Sequence, residues 1–308
     1  NINYIPRKIL EGYLFCYLCQ EAAKCTGCVL RGVCGKKDTT ARYMDLLLFV
    51  VRGVSVAADT LRTKGYEVEA GTNEFVTDAL FSTITNANFD DESILARVRK
   101  GLELRDRLKV RAVEAGIVLP EADELTWNGK EEEYLSKSAS VGVLREPNED
   151  LRSLKELLMY GLKGMAAYHE HAMRLGFADE AIHAFMQSAL ARITTQTMGA
   201  DELVALVLEA GQHGVQVMAL LDRANTTRYG HPELTKVNIG VGKNPGILIS
   251  GHDLHDLEEL LRQTEGTGVD VYTHSEMLPG HYYPAFTKYK HFVGIYGNDW
   301  WKRRGENT

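Results

Sequence analysis

The chain has 308 residues with 35 basic and 42 acidic side chains, a formal net charge of −7, and a hydrophobic fraction of 44%. This composition is that of an ordinary folded globular protein, and the acidic balance lacks the basic surface expected of a nucleic-acid-binding protein. No stretch reaches the roughly 18 consecutive apolar residues of a membrane span, and the start lacks the apolar core of a signal peptide. We therefore expect a cytoplasmic protein with no nucleic acid and no membrane as partner.

All five cysteines of the chain fall in one short segment, CYLCQEAAKCTGCVLRGVC, residues 16–34. An odd number of cysteines and a reducing cytoplasm both oppose disulfides. Cys16 and Cys19 are spaced so that two thiolates can reach one metal centre, and Cys25, Cys28 and Cys34 follow after a short turn. Zinc sites usually contain two such pairs across a longer loop, whereas short uneven gaps favour a four-cysteine iron–sulfur cluster. The spacing alone leaves zinc and disulfides as alternatives, and a four-cysteine site leaves one cysteine spare.

A long helical region follows the cysteines. Apolar residues recur at steps of three and four, which predicts helices, over residues 40–65, 92–116, 149–176, 179–194 and 200–225. Asp91, Asp179 and Asp201 stand at or near predicted helix starts, where a carboxylate stabilises the free amides. Residues 125–148 lack this periodicity, so we interpret them as a long loop between two helical bundles.

The periodicity changes near residue 235. Short β-rich runs at 236–241, 246–251 and 269–274 predict strands, 253–266 predicts an amphipathic helix, and 290–297 holds at most one more strand. Strand, helix and strand in this order form a βαβ unit with a parallel sheet. The predicted fold is thus a mainly α-helical bundle domain followed by a partial Rossmann-like α/β domain. Its predicted parts are an extension (1–12), a helical domain (13–232) and the start of the α/β domain (233–308).

Two candidate site residues follow these strands directly. His252 comes after the strand at 246–251 and Glu276 after the strand at 269–274. Because parallel strands present their carboxyl ends at one edge of the sheet, both side chains should lie at that edge. A helix cap and a solvated acid are the alternative interpretations. His255, His274 and His281 are nearby candidates for supporting or packing roles, and we expect His169, His171, His183 and His213 to be bundle residues.

Two stretches resemble the hybrid cluster proteins, also called prismane proteins or hydroxylamine reductases, in their amino-terminal portion. They are FCYLCQEAAKCTGCVLRGVCGK and the segment 219–286, which contains SGHDL and THSEMLP. The resemblance implies that Cys16, Cys19, Cys28 and Cys34 hold a [4Fe–4S] cluster and that Cys25 is a bystander. It also implies that His252 and Glu276 are ligands of the hybrid iron–sulfur–oxygen cluster, where substrate is reduced.

The implied activity is the reduction of hydroxylamine or nitric oxide, with electrons delivered to the [4Fe–4S] cluster by a redox protein. Carbon monoxide dehydrogenases share this architecture, but their amino-terminal cysteine spacing differs. The remaining hybrid-cluster ligands of the family, several cysteines and a glutamate, have no counterpart here, since no cysteine follows Cys34. We therefore expect a fragment, a protein whose carboxyl-terminal half is a separate segment, or one that has lost the reaction. The alternative function is a non-catalytic electron-transfer or scaffold module that carries only the four-cysteine cluster.

Overall fold

The computed structural model describes residues 14–19, 21–84 and 87–297. The chain divides into two compact units: unit 1 holds the residues up to Glu170 together with Asp179–Val217, and unit 2 holds His171–Ala178 and the residues from Met218 onward. The predicted extension at 1–12 lies outside the described residues, and the predicted domain boundary at 232 stays a prediction.

Helices dominate the first two thirds of the described chain. Their bounds are α1 Asp38–Thr63, α2 Ala70–Ser82, α3 Asp91–Glu114, α4 Asp123–Thr126, α5 Tyr134–Val141, α6 Glu149–Arg174, α7 Glu180–Thr195 and α8 Ala200–Tyr229. The helices predicted from apolar periodicity correspond to α1, α3, α6, α7 and α8. The mainly helical fold class is confirmed.

Helix α1 is the centre of unit 1. It contacts α2, α3, α4, α5 and α7, and every residue from Val54 to Ala58 is buried. A helix that is apolar all round is buried on every side, and the run MDLLLFVV, residues 44–51, is buried throughout. The close approach of its neighbours depends on Gly53, where a methyl group would collide with the backbone carbonyl of Glu124.

The prediction of a long loop over 125–148 was wrong in its middle, where α5 forms, and α2 was not predicted. Helix α5 has only eight residues, too few to show a helical period. Helix α2 carries polar threonine and asparagine residues that are themselves buried, including Thr72, Asn73 and Thr77. Buried polar residues interrupt the apolar pattern from which helices are predicted.

Carboxylates begin two of these helices. Asp90, one residue before the aspartate predicted for α3, accepts the amide of Glu92 at 3.0 Å and is the N-cap. Asp91 instead accepts the hydroxyl groups of Thr39 and Thr40, at 2.6 Å for Thr39, and so joins the starts of α1 and α3. The cap of α7 is Asp179, whose Oδ1 accepts the amide of Ala181 at 2.9 Å.

Helix α8 is long and apolar enough, by length and composition, to cross a membrane. Of the residues in its most apolar 18-residue window, 28% are buried inside the protein. Leu203 and Leu206 lie in the core, while Leu208 and Val215 are exposed. A single helix of this kind is weak evidence for a membrane span, because core helices of soluble proteins satisfy the same criterion.

Unit 2 contains a three-stranded parallel sheet in the order β1-β2-β3, with β1 Gly246–Ser250, β2 Asp270–His274 and β3 Phe292–Ile295. Helix α9, Leu254–Thr264, connects β1 to β2, so the predicted βαβ unit is confirmed. The connection from β2 to β3 consists of two 3₁₀ turns, Ser275–His281 and Pro284–Phe286, instead of a helix.

The strand predicted at 236–241 was wrong. These residues form no strand, although the carbonyl of Asn238 accepts the amide of Ile295 at 2.9 Å beside β3. Ile239 and Val241 are 83% and 74% exposed. Their β-branched side chains produced the prediction, but no packing partner buries them within the described residues of unit 2.

The core of unit 2 lies between α9, β2 and the 3₁₀ turns. Its buried members are Tyr229, Leu254, Leu257, Leu261, Val271, Met277, Tyr283, Phe286 and Tyr289. Leu254, Leu257 and Leu261 occupy one face of α9 at helical spacing. Asp253 caps this helix by accepting the amide of His255 at 2.9 Å, and this fixes the turn immediately after His252.

Candidate metal centre

The cysteine segment folds back on itself before α1. Cys16 and Cys28 form an antiparallel bridge in which each amide donates to the other's carbonyl at 2.9 Å. Residues directly opposite in such a pair have neighbouring Cβ atoms. Both cysteines are buried, at 7% and 4% exposure. The bridge therefore places Cys28, the third predicted ligand, next to the pair formed by Cys16 and Cys19.

The turn between these two residues has an unusual backbone. Lys24 and Cys25 have positive φ angles of 54° and 57°, and Gly27 has 119°. A methyl group at Gly27 would lie 2.6 Å from the ring of Phe15, so only glycine fits there. The turn leaves the Cys25 thiol exposed. Its exposure contrasts with the buried Cys16 and Cys28, in keeping with the predicted bystander role.

Cys34 lies in a second tight turn. The amide of Gly32 donates to the carbonyl of Lys36, and the amide of Gly35 to the carbonyl of Gly32, both at 2.9 Å. A methyl group at Gly32 would lie 3.0 Å from the Cys34 sulfur. Cys19 and Cys34 are half-buried, as expected of ligands at the rim of a metal site.

Two buried lysines lie close to these cysteines. Lys36 is 2% exposed, with its Nζ 3.0 Å from the Met44 sulfur. Lys163 of α6 is 3% exposed, and its Nζ donates to the carbonyl of Leu18 at 3.2 Å. Buried lysines are rare unless paired with negative charge. Their position indicates that negative charge collects at this end of unit 1.

The electrostatics of the segment determine whether Cys16 can ionise. Burial raises the pKa of the Cys16 thiol to about 12. Burial also lowers the pKa of Lys36, an effect that thiolates at Cys16, Cys34 and Cys19 would oppose. Thiolate is the metal-binding form of cysteine. A buried thiol with so high a pKa ionises only beside a strong positive charge, and a bound metal supplies one.

Helix α6 holds the segment in place. The hydroxyl of Tyr160 donates to the carbonyl of Tyr17 at 2.9 Å, and the two rings stack with centroids 6.1 Å apart. Lys163, one turn further along the same helix, reaches Leu18. These contacts fix the backbone around Cys16 and Cys19. The four thiols Cys16, Cys19, Cys28 and Cys34 therefore suit a metal or iron–sulfur group that takes thiolate ligands.

Sequence reasoning missed Lys36, Lys163 and Tyr160. A signal for Lys163 was present, because it interrupts the apolar face of α6 between the buried residues Leu162 and Met165. A similar sequence signal was available for Asp45, which interrupts the apolar run of α1. Asp45 is buried, and its burial raises its pKa to about 7. Charged residues inside apolar patterns mark buried polar networks.

His252 and Glu276 meet at the carboxyl edge of the sheet in unit 2. The Nε2 atom of His252 lies 3.5 Å from Oε2 of Glu276, and both side chains are exposed, at 62% and 47%. Each follows a residue with positive φ, Gly251 at 135° and Ser275 at 50°. These sharp turns at the ends of β1 and β2 direct both side chains to the same place.

Two of the neighbouring histidines, His274 and His281, are buried. His281 is buried against Phe292 with ring centroids 4.2 Å apart, and its Nε2 lies 2.7 Å from the Thr273 hydroxyl. Burial lowers the pKa of His281 to about 4, so its ring is neutral near pH 7. His274 ends β2 fully buried, 3.4 Å from the Ser250 hydroxyl.

The bundle histidines of unit 1 also pack internally. His169 and His183 lie with ring centroids 4.3 Å apart, and burial lowers the pKa of His183 to about 4. His169 accepts the amide of Asp179 at 3.1 Å, and His213 stacks on Phe185 at 4.0 Å. These contacts agree with the interpretation of all three as bundle residues.

Comparison with known proteins agrees with this geometry. The model of the Prismane/CO dehydrogenase family matches residues 14–308. Proteins named hydroxylamine reductase from Desulfitobacterium hafniense, Bacteroides fragilis and Clostridium botulinum are 60%, 57% and 53% identical, each over 95% of this chain. The match covers 54%, 53% and 56% of those proteins, so the chain spans about half the length of the relatives it matches. On these matches, the chain belongs to the Prismane/CO dehydrogenase family.

Proposed function

We propose that this chain is part of an iron–sulfur oxidoreductase in which Cys16, Cys19, Cys28 and Cys34 bind a [4Fe–4S] cluster. The observation that carries the proposal is the Cys16–Cys28 bridge, buried beside Lys36 and Lys163. The two lysines offset the negative charge that four thiolates bring into the protein interior. When bound, the cluster supplies one-electron transfer.

The proposed substrate is hydroxylamine, the substrate in the relatives' name, with nitric oxide as a second nitrogen species. Reduction of hydroxylamine breaks the N–O bond with two electrons and two protons and releases ammonia and water. In the complete protein, His252 and Glu276 would be two ligands of the hybrid iron–sulfur–oxygen cluster. Imidazole and carboxylate are harder ligands than thiolate and suit an iron that binds oxygen species.

The reaction needs partners beyond these residues. Electrons would come from a separate redox protein in the cytoplasm. The remaining hybrid-cluster ligands would come from the part of the protein that corresponds to the other half of the relatives. His252 and Glu276 alone cannot hold a multi-iron cluster whose sulfide-bridged irons need thiolates.

Anaerobic reconstitution of the 308-residue chain with iron and sulfide tests the cluster. We expect about four irons per chain, as a [4Fe–4S] cluster requires, and an electron paramagnetic resonance signal after reduction. Cys28→Ser should lose most of the iron and the signal, while Cys25→Ser, the matched control, should retain both. A protein that takes up zinc but forms no cluster would contradict the proposal.

The alternative function is a non-catalytic electron-transfer or scaffold module that carries only the four-cysteine cluster. A chain with about four irons and no hydroxylamine reduction by a chemical electron donor would support this alternative. Additional iron that disappears in His252→Ala would instead indicate a second cluster. The two functions are therefore separated by iron content and activity measured on the same samples.

A further inference from the structure

A cavity of about 440 Å³ lies in unit 1, among residues that the proposed cluster does not use. Its lining includes the charged residues Arg52, Arg145, Glu146, Arg152, Lys155 and Glu156. Four of these carry positive charge and two carry negative charge, so the charged lining has a formal excess of positive charge. The volume is within the range of small-molecule sites in proteins.

One of the two carboxylates is already neutralised. Glu146 accepts Lys155 Nζ at 2.6 Å, and this hydrogen bond is the main cause that lowers the pKa of Glu146. The backbone carbonyl of Glu146 also accepts Arg152 Nη1 at 2.9 Å. Arg152 and Lys155 keep further N–H groups for a ligand, since each makes only this one described bond within the cavity wall.

The other carboxylate is a weak counter-charge. Burial raises the pKa of Glu156, which disfavours its ionised form, although Arg52 and Lys163 oppose this effect. Arg145 is paired with a residue outside the lining, donating from Nη1 to Glu124 Oε1 at 2.7 Å. The positive charge of the cavity is therefore only partly compensated by carboxylates.

Arg52 is the residue that most needs a ligand. It lies within α1, its Nε is buried with no hydrogen-bond partner, and among the described residues its guanidinium makes no ion pair within bonding distance. Burial lowers its pKa, and the nearby charge of Arg145 adds to this effect, whereas the carboxylates of Glu156, Glu124 and Asp45 oppose it without pairing directly with the guanidinium. Arg52 as a whole is half-buried, but a buried N–H donor such as its Nε is unfavourable unless an anion or water accepts from it.

We propose that this cavity binds an oxyanion, either a free inorganic ion or the phosphate group of a small organic ester. The planar forks of Arg52, Arg145 and Arg152 match oxyanion geometry, and Lys155 adds a point charge. Gln196 and Thr197 in the wall offer neutral polar groups to the same ligand. None of these lining residues is a proposed cluster ligand.

Isothermal titration of the 308-residue chain tests the site, with inorganic phosphate and glycerol 3-phosphate as probes at constant ionic strength. We expect one ion per chain. Arg52→Gln should weaken binding about 10- to 100-fold, the loss expected for a charged hydrogen bond. Arg107→Gln, at an exposed arginine of α3, should leave binding unchanged. Tighter binding of the ester would identify an organic phosphate ligand, and equal binding would identify the free ion.

Further variants test the site without changing Arg52. If Arg52→Gln does not fold, the double variant Arg152→Gln, Lys155→Met must weaken binding at least tenfold, and Glu156→Gln must preserve or strengthen it. The proposal is wrong if neither probe binds at millimolar concentration. It is equally wrong if binding is the same in the cavity variants and in Arg107→Gln.

Discussion

At the scale of single residues, unit 1 buries positive charge next to sulfur. Lys36 and Lys163 are almost fully buried near cysteines that ionise on binding metal. Burial lowers the pKa of Lys163 to about 8, so the lysine still carries most of its positive charge near pH 7. Removing this charge would change the electrostatic potential at the cysteines. Charge near a redox group shifts the balance between its oxidised and reduced forms, and here the added positive charge favours the reduced form.

The first prediction concerns this charge. Lys163→Met should lower the reduction potential of the proposed cluster by roughly tens of millivolts, because a positive charge that stabilises the reduced form is lost. Lys163→Arg should stay near the wild-type value. The measurement is a potentiometric titration followed by electron paramagnetic resonance.

Lys64→Met is the matched control, since Lys64 is exposed at the end of α1. It should leave the potential unchanged. An equal shift in Lys64→Met and Lys163→Met would show that burial of the charge near the cysteines is irrelevant.

The second prediction concerns pH and His281. Burial holds its pKa at about 4, below the value of about 6.5 in an unfolded chain. Between these values the unfolded chain binds a proton that the folded chain does not, so the free energy of unfolding falls as pH decreases from 6.5 towards 4, by up to about 3 kcal/mol. His281→Gln should reduce this decline in urea unfolding measured across that range, and the part due to buried His183, whose pKa is also about 4, should remain.

Exposed His231 provides the comparison for that experiment. His231→Gln should retain the wild-type slope with pH. If His281→Gln and the wild type lose stability in parallel, the imidazole of His281 titrates normally in the folded chain and the inference from its burial is wrong.

At the scale of elements, apolar periodicity predicted the long helices, and β-rich runs bounded by glycine predicted β1, β2 and β3. The missed helix α2 and the wrong strand at 236–241 have the same cause. In both segments, the burial of side chains in the folded protein differs from what the local sequence pattern indicates. Helix α2 buries polar residues such as Asn73, and the run at 236–241 leaves Ile239 and Val241 exposed. Local patterns assume that apolar side chains are inside and polar ones outside. Both segments violate this assumption.

The third prediction tests the close contact at the centre of unit 1. Gly53→Ala should destabilise the chain by about 1–3 kcal/mol, because the added methyl group meets the backbone at Glu124 and α4 must move. Gly161→Ala, on the open side of α6 with no atom within 4 Å, should be neutral or stabilising by up to about 1 kcal/mol. Equilibrium urea unfolding of both variants gives the comparison.

The sign of the difference decides this test. If both variants gain stability, helix propensity outweighs the contact, and α4 is free to shift away from α1. If only Gly53→Ala loses stability, α4 is held rigidly against α1. The buried guanidinium of Arg105 in α3 would contribute to this, because it donates to the carbonyls of Glu124 and Trp127.

At the scale of the whole molecule, the sequence predicted the site positions better than their surroundings. Cysteine spacing predicted a metal site that stays a prediction, and strand ends predicted that His252 and Glu276 would lie at one edge of the sheet, where they are 3.5 Å apart. Lys36 lies only two residues after Cys34, but Tyr160 and Lys163 come from α6 and contact residues 143 and 145 positions earlier in the chain. Contacts between distant segments depend on how helices pack, and no local pattern encodes that.

The last prediction concerns metal and folding. Residues 14–37 contain no regular helix longer than three residues among those described, and they are held by the Cys16–Cys28 bridge and by Tyr160 and Lys163. A ligand that binds only the folded state adds RT ln(1 + [L]/Kd) to stability. Iron loading should therefore raise the unfolding temperature and slow amide hydrogen exchange most strongly in this segment, with little change in the β1–β3 sheet. Exchange that slows equally everywhere, or nowhere, would mean that these cysteines do not bind metal as a folded unit.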